Sequence, residues 1–312
     1  MEKSEKVTRR SFIKKAAAGA AGIAVATQLG GNRINAEEAK PQYPLLITAM
    51  DGVLRQRAKV EGIEIAYKVG MDGLQVQYVP DLKSPDSLRH KSVEIAYRNA
   101  SHQYGIQISS LCIGALGSTP LKSEPEGVVW VMEAIKCARN LGSKVILLPI
   151  LGGGHLETEE EFKRLIAVLK QLAPHAGDEG IVLGLECWIS AEDQLRIINE
   201  VNHPAVKAYY DSRNALGRGF DPIEEISLLG GDNICEYHAK NGRNLMRIKE
   251  TLKSPTKTGR TEGLDHPALA AQLKKVGYKG WISLETSIVS GDPIADAIDN
   301  IAYVREVYNI FE

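Results

Sequence analysis

From Pro44 onward the chain alternates short β-branched or apolar runs with amphipathic segments, and this alternation limits its fold more than any other feature. Parallel strands joined by crossover helices produce that pattern, because each strand must return to the same edge of the sheet before the next begins. The predicted strands are Leu45 to Ala49, Gly73 to Val79, Ile106 to Ile113, Lys144 to Ile150, Ile181 to Cys187, Ala208 to Asp211, Ile234 to Ala239 and Trp281 to Glu285. Several are continuous apolar runs, as expected of strands covered on both faces. Between them, apolar residues recur at helical spacing over Val128 to Leu141 and over Thr158 to Leu172. Thr158 followed by Glu161 has the spacing of a capping box. Met71-Asp72-Gly73, Leu141-Gly142-Ser143 and Val276-Gly277-Tyr278-Lys279-Gly280 each put glycine between a helix and the next strand, where a left-handed residue is wanted.

Eight strand-then-helix units in one stretch predict an α/β chain folded as a single-domain (β/α)8 TIM barrel spanning residues 37–312. A doubly wound open sheet is the competitor, but no glycine fingerprint follows the first strand. Of the 312 residues, 44% are hydrophobic and 25% charged, enough for a large core. The 38 basic and 39 acidic residues nearly cancel, and no basic stripe with interleaved aromatics is present, so no nucleic-acid partner is expected.

Residues 1–36 are expected to be a twin-arginine signal peptide rather than part of the fold. Thr8-Arg9-Arg10-Ser11-Phe12-Ile13-Lys14 precedes a small-residue run from Ala16 to Leu29, with a cleavage point after Ala36. The run is too short and too rich in Ala and Gly for a permanent membrane anchor. A periplasmic or otherwise exported protein is the expectation. Cys112, Cys137, Cys187 and Cys235 show no CxxC spacing and are expected as free core thiols.

In a (β/α)8 barrel the C-terminal strand ends share one mouth, so polar residues there point to function. Glu186, Asp211, His238 and Glu285 stand at the ends of the last four strands, the first three separated by 25 and 27 residues, close to one strand-helix repeat. Four such groups would be a costly cluster of charge unless something compensates them. Three carboxylates and an imidazole suit one divalent metal ion, Mn²⁺ first, with Mg²⁺, Co²⁺ or Zn²⁺ as alternatives. Around them, Trp188 could stack on a sugar face, His155 after Gly152-Gly153-Gly154 could contact hydroxyls, and Lys240 and Arg243 could grip an acidic group. His266 before Pro267 is expected to start a helix.

The segments Glu186, Asp211 with Asn214, His238-Ala239-Lys240, the Gly259 to Asp265 loop and Gly277-Tyr-Lys-Gly-Trp-Ile-Ser-Leu-Glu285 resemble the successive motifs of the sugar phosphate isomerase/epimerase superfamily, the xylose-isomerase-like TIM barrels. The resemblance implies that Glu186, Asp211, His238 and Glu285 hold the metal and that Glu186 and Glu285 exchange substrate protons through a metal-stabilised enediolate. Where ketose 3-epimerases often carry a second His three residues after the Asp, this chain has Asn214. It becomes a further candidate substrate contact.

The expected function is that of a sugar isomerase or epimerase acting on a free ketose or related polyol, since an exported enzyme meets few sugar phosphates. The alternative is a lyase or hydrolase cleaving 3-keto-glycosides by β-elimination. A non-catalytic carbohydrate-binding barrel and an abasic-site endonuclease rank lower. A small-molecule carbohydrate is the expected partner, with a homo-oligomer possible.

Overall fold

The computed structural model describes residues 45–242, 244–248 and 264–308. The twin-arginine segment, Arg243 and most of the Gly259 to Asp265 loop lie outside them.

Eight strands form one parallel sheet: β1 (Ile47–Ala49), β2 (Gly73–Gln77), β3 (Gln107–Cys112), β4 (Val145–Ile150), β5 (Val182–Cys187), β6 (Val206–Asp211), β7 (Ile234–Ala239) and β8 (Trp281–Leu284). The order is β1-β8-β7-β6-β5-β4-β3-β2, and a parallel bridge between Met50 and Gln75 joins the two outermost strands. The sheet is therefore a nearly closed barrel, with closure at a single bridge.

The helices are α1 (Gly62–Val69), α2 (Lys91–Tyr104), α3 (Pro125–Leu141), α4 (Glu159–Asp178), α5 (Ala191–Val201), the single-turn α6 (Ser212–Gly217), α7 (Pro222–Leu229), α8 (His266–Lys275) and α9 (Pro293–Tyr308). None of the described helices is long and apolar enough to cross a membrane. Their apolar stripes and the outward strand positions make one core, exemplified by Ile146 and Leu148 of β4, Leu183 and Leu185 of β5 and Leu165 and Leu169 of α4, all buried. A second, smaller cluster of Cys112, Val145, Leu147 and Tyr209 fills the barrel itself. The cysteines are free, three buried and Cys235 half-buried.

Helix α4 opens with the expected capping box: the Thr158 side chain accepts from Glu161 N, and the Glu161 carboxylate accepts from Thr158 N. The helix continues beyond Leu172 to Asp178, through Pro174. Pro174 and Lys170, four residues earlier, are both exposed, so water can satisfy the carbonyl that proline leaves unbonded. Glycines end two helices as anticipated, with φ 75° at both Gly142 and Gly277. The expectation for Gly73 fails: Gly70 supplies the left-handed residue after α1, and Gly73 begins β2. A Cβ at Gly73 would lie 2.8 Å from the Trp281 ring, so it is close packing that excludes a side chain there.

Candidate metal centre

Alternation along a strand sends every second residue into the barrel. On β5 these are Gly184 and Glu186, on β6 Tyr209 and Asp211, on β7 Glu236 and His238, and on β8 Ser283 followed by Glu285. The pairing register sets Tyr209 beside Glu236, Asp211 beside His238, and His238 beside Ser283. The upper layer of this half of the barrel is thus Glu186, Asp211, His238 and Glu285. The structure brings all four together: one donor atom from each lies within 4.8 Å of every other.

Each residue is held differently. Asp211 ends β6 and caps α6, its Oδ1 accepting from Asn214 N at 2.8 Å, which leaves Oδ2 facing the centre. Glu186 is fixed by Asn214, whose Nδ2 donates to Glu186 Oε1 at 2.8 Å. His238 points Nδ1 at Glu285 Oε2 (3.3 Å), Glu186 Oε1 (3.5 Å) and Asp211 Oδ2 (3.8 Å). Lys240, two residues further along the chain, places Nζ 2.6 Å from Asp211 Oδ2 and 2.7 Å from Glu285 Oε2.

Burial penalises charge at Asp211, His238 and Lys240, and the neighbours decide the outcome. Desolvation opposes a charged His238, but Glu285, Glu186 and Asp211 together overcome it and raise its pKa to about 9. For Asp211, desolvation raises the pKa and Lys240 only partly offsets it. Lys240 is pushed upward because Asp211, Glu285 and Glu186 outweigh its own desolvation.

The donor set fits a divalent cation. His238 Nδ1 and Asp211 Oδ2 are buried and make no aligned hydrogen bond, although Lys240 lies close to the latter. Donors that each sit about 2.0–2.2 Å from one ion are at most about 4.4 Å apart, so the observed cluster needs little contraction to enclose one. Oxygen donors with one imidazole match Mg²⁺, Mn²⁺ or Zn²⁺ better than a thiolate-seeking ion.

The family model described as xylose isomerase-like TIM barrel matches residues 63–307. The chain belongs to that family. A 2-epi-5-epi-valiolone 7-phosphate 2-epimerase from Actinoplanes sp. is 24% identical over 188 residues, covering 58% of this chain and 67% of the relative. Among solved structures, a 3-keto-D-glucoside 4-epimerase from E. coli superposes with TM-score 0.65 at 19% identity, covering 84% of this chain and 99% of its own. A D-psicose 3-epimerase solved in the presence of D-fructose gives TM-score 0.67 at 16% identity, covering 85% and 100%.

In this xylose isomerase-like barrel two cavities flank the cluster. One of about 410 Å³ is bordered by Trp188, Asn214, Arg218, Lys240 and Glu285. Another of about 310 Å³ is bordered by Asp51, Gln77, Cys112, Glu186 and Glu285. Glu285 belongs to both. Trp188 lies under the Arg218 guanidinium, 4.0 Å from its ring centroid, and 5.9 Å from the His155 ring. His155 therefore contacts Trp188 rather than the carboxylates, while its carbonyl accepts from Lys122.

Sequence reading missed Asp51, Gln75, Tyr209, Glu236 and Arg218. Asp51 is buried, its carboxylate accepting from Ala58 N at 2.7 Å and Gln77 N at 2.9 Å, and burial lifts its pKa to about 6 despite those bonds. Gln75 and Gln77 carried a usable signal, since alternating polar residues inside Gly73-Leu-Gln-Val-Gln77 mark one face of β2 as polar.

Proposed function

We propose that the protein is a divalent-metal-dependent isomerase or epimerase that moves the proton α to the carbonyl of an unphosphorylated ketose or related polyol. The observation that carries this reading is the convergence of Glu186, Asp211, His238 and Glu285 at the strand ends, with open space on two sides of Glu285. The named relatives, all epimerases, support an enzyme of the isomerase and epimerase class with a small carbohydrate substrate.

A bound divalent cation, Mn²⁺ in our reading, would supply the Lewis acidity that makes a C–H beside a carbonyl removable. Glu186 and Glu285 are then the groups that take and return the proton. They arrive from β5 and from the end of β8, and both border the cavity of about 310 Å³. Asn214 holds Glu186 by one oxygen, leaving the other to accept the proton. Lys240, tied to Glu285 at 2.7 Å, keeps a positive charge beside the oxygens where negative charge develops. Trp188, His155 and Arg243 complete our assignment of substrate contacts.

The test is exchange of the α-proton for deuterium in D₂O by purified protein with added Mn²⁺, followed by NMR across free ketoses. Exchange that disappears on chelation supports the assignment; no exchange with any ketose overturns it.

A second reading is β-elimination from a 3-keto-glycoside, which begins with the same proton abstraction but expels the glycosidic oxygen. The two cavities meeting at Glu285 favour it, since they leave room beyond one sugar ring, as does the fold shared with a 3-keto-D-glucoside epimerase. Release of aglycone without an epimer would assign this reaction. Export by the twin-arginine route is part of the proposal, and fractionation of cells expressing the full chain tests it.

A further inference from the structure

The imidazole of His238 has a second nitrogen, and its surroundings are as specific as those of the first. Nε2 lies 3.3 Å from Oε1 of Gln75, a side chain with no exposed surface. The Gln75 amide is engaged at its other end too, where Nε2 is 2.8 Å from Ser110 Oγ and 2.8 Å from the Tyr209 hydroxyl. An amide nitrogen has two hydrogens, and here two hydroxyl oxygens receive them. Only the carbonyl oxygen remains for the imidazole.

A buried carboxyl lies beside these hydroxyls. The fully buried Glu236 carboxyl has Ser110, Tyr209 and Ser109 as polar neighbours, although none meets it with aligned hydrogen-bond geometry. A hydroxyl oxygen can accept while its own hydrogen points elsewhere, so Ser110 and Tyr209 can both receive the Gln75 amide hydrogens. An imidazole ring with its hydrogen on Nε2 donates to Gln75 and keeps the Nδ1 lone pair for the centre of the cluster. A hydrogen on Nδ1 instead would set Nε2 lone pair against carbonyl oxygen.

We propose that Gln75 is a positioning residue for the metal centre, fixing the tautomer and rotation of His238 so that the Nδ1 lone pair faces the cation. Tyr209 supports the same geometry twice. Its hydroxyl anchors the Gln75 amide, and its ring meets the His238 ring edge-on at 4.6 Å. Gly184 makes room for that ring: a Cβ there would lie 2.7 Å from Cys235 Sγ and 3.1 Å from Tyr209 Cδ2. The backbone of Gln75 is itself placed by the bridge to Met50 that closes the barrel. Imidazole ligands of metals characteristically donate their other N–H to such an acceptor, and its loss typically costs 10- to 100-fold in affinity.

This inference rests on the metal reading of the cluster, and the test separates the two. Mn²⁺ is titrated calorimetrically into the full chain, Gln75→Met, Tyr209→Phe and the double variant. The expected result is a 10- to 100-fold weaker Kd for Gln75→Met, a smaller loss for Tyr209→Phe, and no added loss when the two are combined. In the Zn²⁺-loaded protein, ¹⁵N NMR is expected to show a slowly exchanging His238 Nε2 proton that Gln75→Met loses. Unchanged affinity and an unchanged Nε2 proton in Gln75→Met would overturn the inference while leaving the metal centre standing. No binding to the unaltered chain overturns the metal centre and this inference with it. If Gln75→Met does not fold, Tyr209→Phe decides: unchanged affinity and Nε2 proton there overturn the proposal.

Discussion

Glu186 and Glu285 occupy unlike environments, the first 6% exposed and bonded to Asn214, the second 33% exposed and paired with Lys240. Replacing either by Gln preserves shape and removes a base, so α-proton exchange is expected to fall by about 10²- to 10⁴-fold, measured by deuterium incorporation. His238 would give metal binding at this centre its pH dependence. Its pKa is raised to about 9 without metal, whereas a cation requires the ring unprotonated at Nδ1. The proton bound by the metal-free fold contributes stability that is complete below the ordinary value of about 6.5 and is lost as pH rises through about 9. Metal affinity runs the opposite way, and near pH 7 calorimetry in buffers of different ionisation enthalpy is expected to detect proton release on binding. His266 has the reverse sign. Burial depresses its pKa to about 4, while Nδ1 meets the Tyr308 hydroxyl at 2.9 Å. Stability should therefore decline as pH falls from about 6.5 to about 4, by up to roughly 3 kcal/mol, and urea melts of His266→Gln should show a flatter profile.

At the scale of strands and helices, the capping box on α4 is the clearest local determinant. Thr158→Ala is expected to cost about 1 kcal/mol in urea unfolding without altering metal affinity. Gly184→Ala crowds Tyr209 and Cys235 inside the barrel and is expected to cost about 1–3 kcal/mol. These elements also show where sequence pattern carries information. The eight strands were visible as short β-branched or apolar runs, several of them continuous, because helices cover the outward faces and the barrel interior accepts Val145 and Leu147. Where the ends drifted they did so by one or two residues, as at β1, where Leu45 and Leu46 precede the strand although Leu46 O still accepts from Ile282 N. Glu186, Asp211, His238 and Glu285 were legible because each interrupts or closes such a run at the end where barrels place their chemistry. The partnership of Gln75, Tyr209 and Glu236 was not, although the alternation on β2 marks Gln75 itself as polar-facing. These residues lie one layer deeper, and their polar groups satisfy each other across strands distant in sequence, a pairing that periodicity along one strand cannot reveal.

Considered as a whole, the barrel distributes its donors unevenly: all four project from β5 to β8, and β1 to β4 contribute none. A cation at 100 times its Kd would stabilise the folded protein by about 2.7 kcal/mol, so chelation is expected to lower the thermal midpoint accordingly. The stabilisation has a direction as well as a size. Loading an ion would staple four adjacent strands together, whereas the other half still depends on the Met50–Gln75 bridge and on the Asp51 carboxylate at Gln77 N to stay shut. Hydrogen exchange should accordingly slow most in β5 to β8 when metal is added, and less at the Gln75 amide beside the seam. Gln75 links the two halves, its backbone at the seam and its side chain against His238. Breathing at the seam would thus be felt by the ion through one amide group.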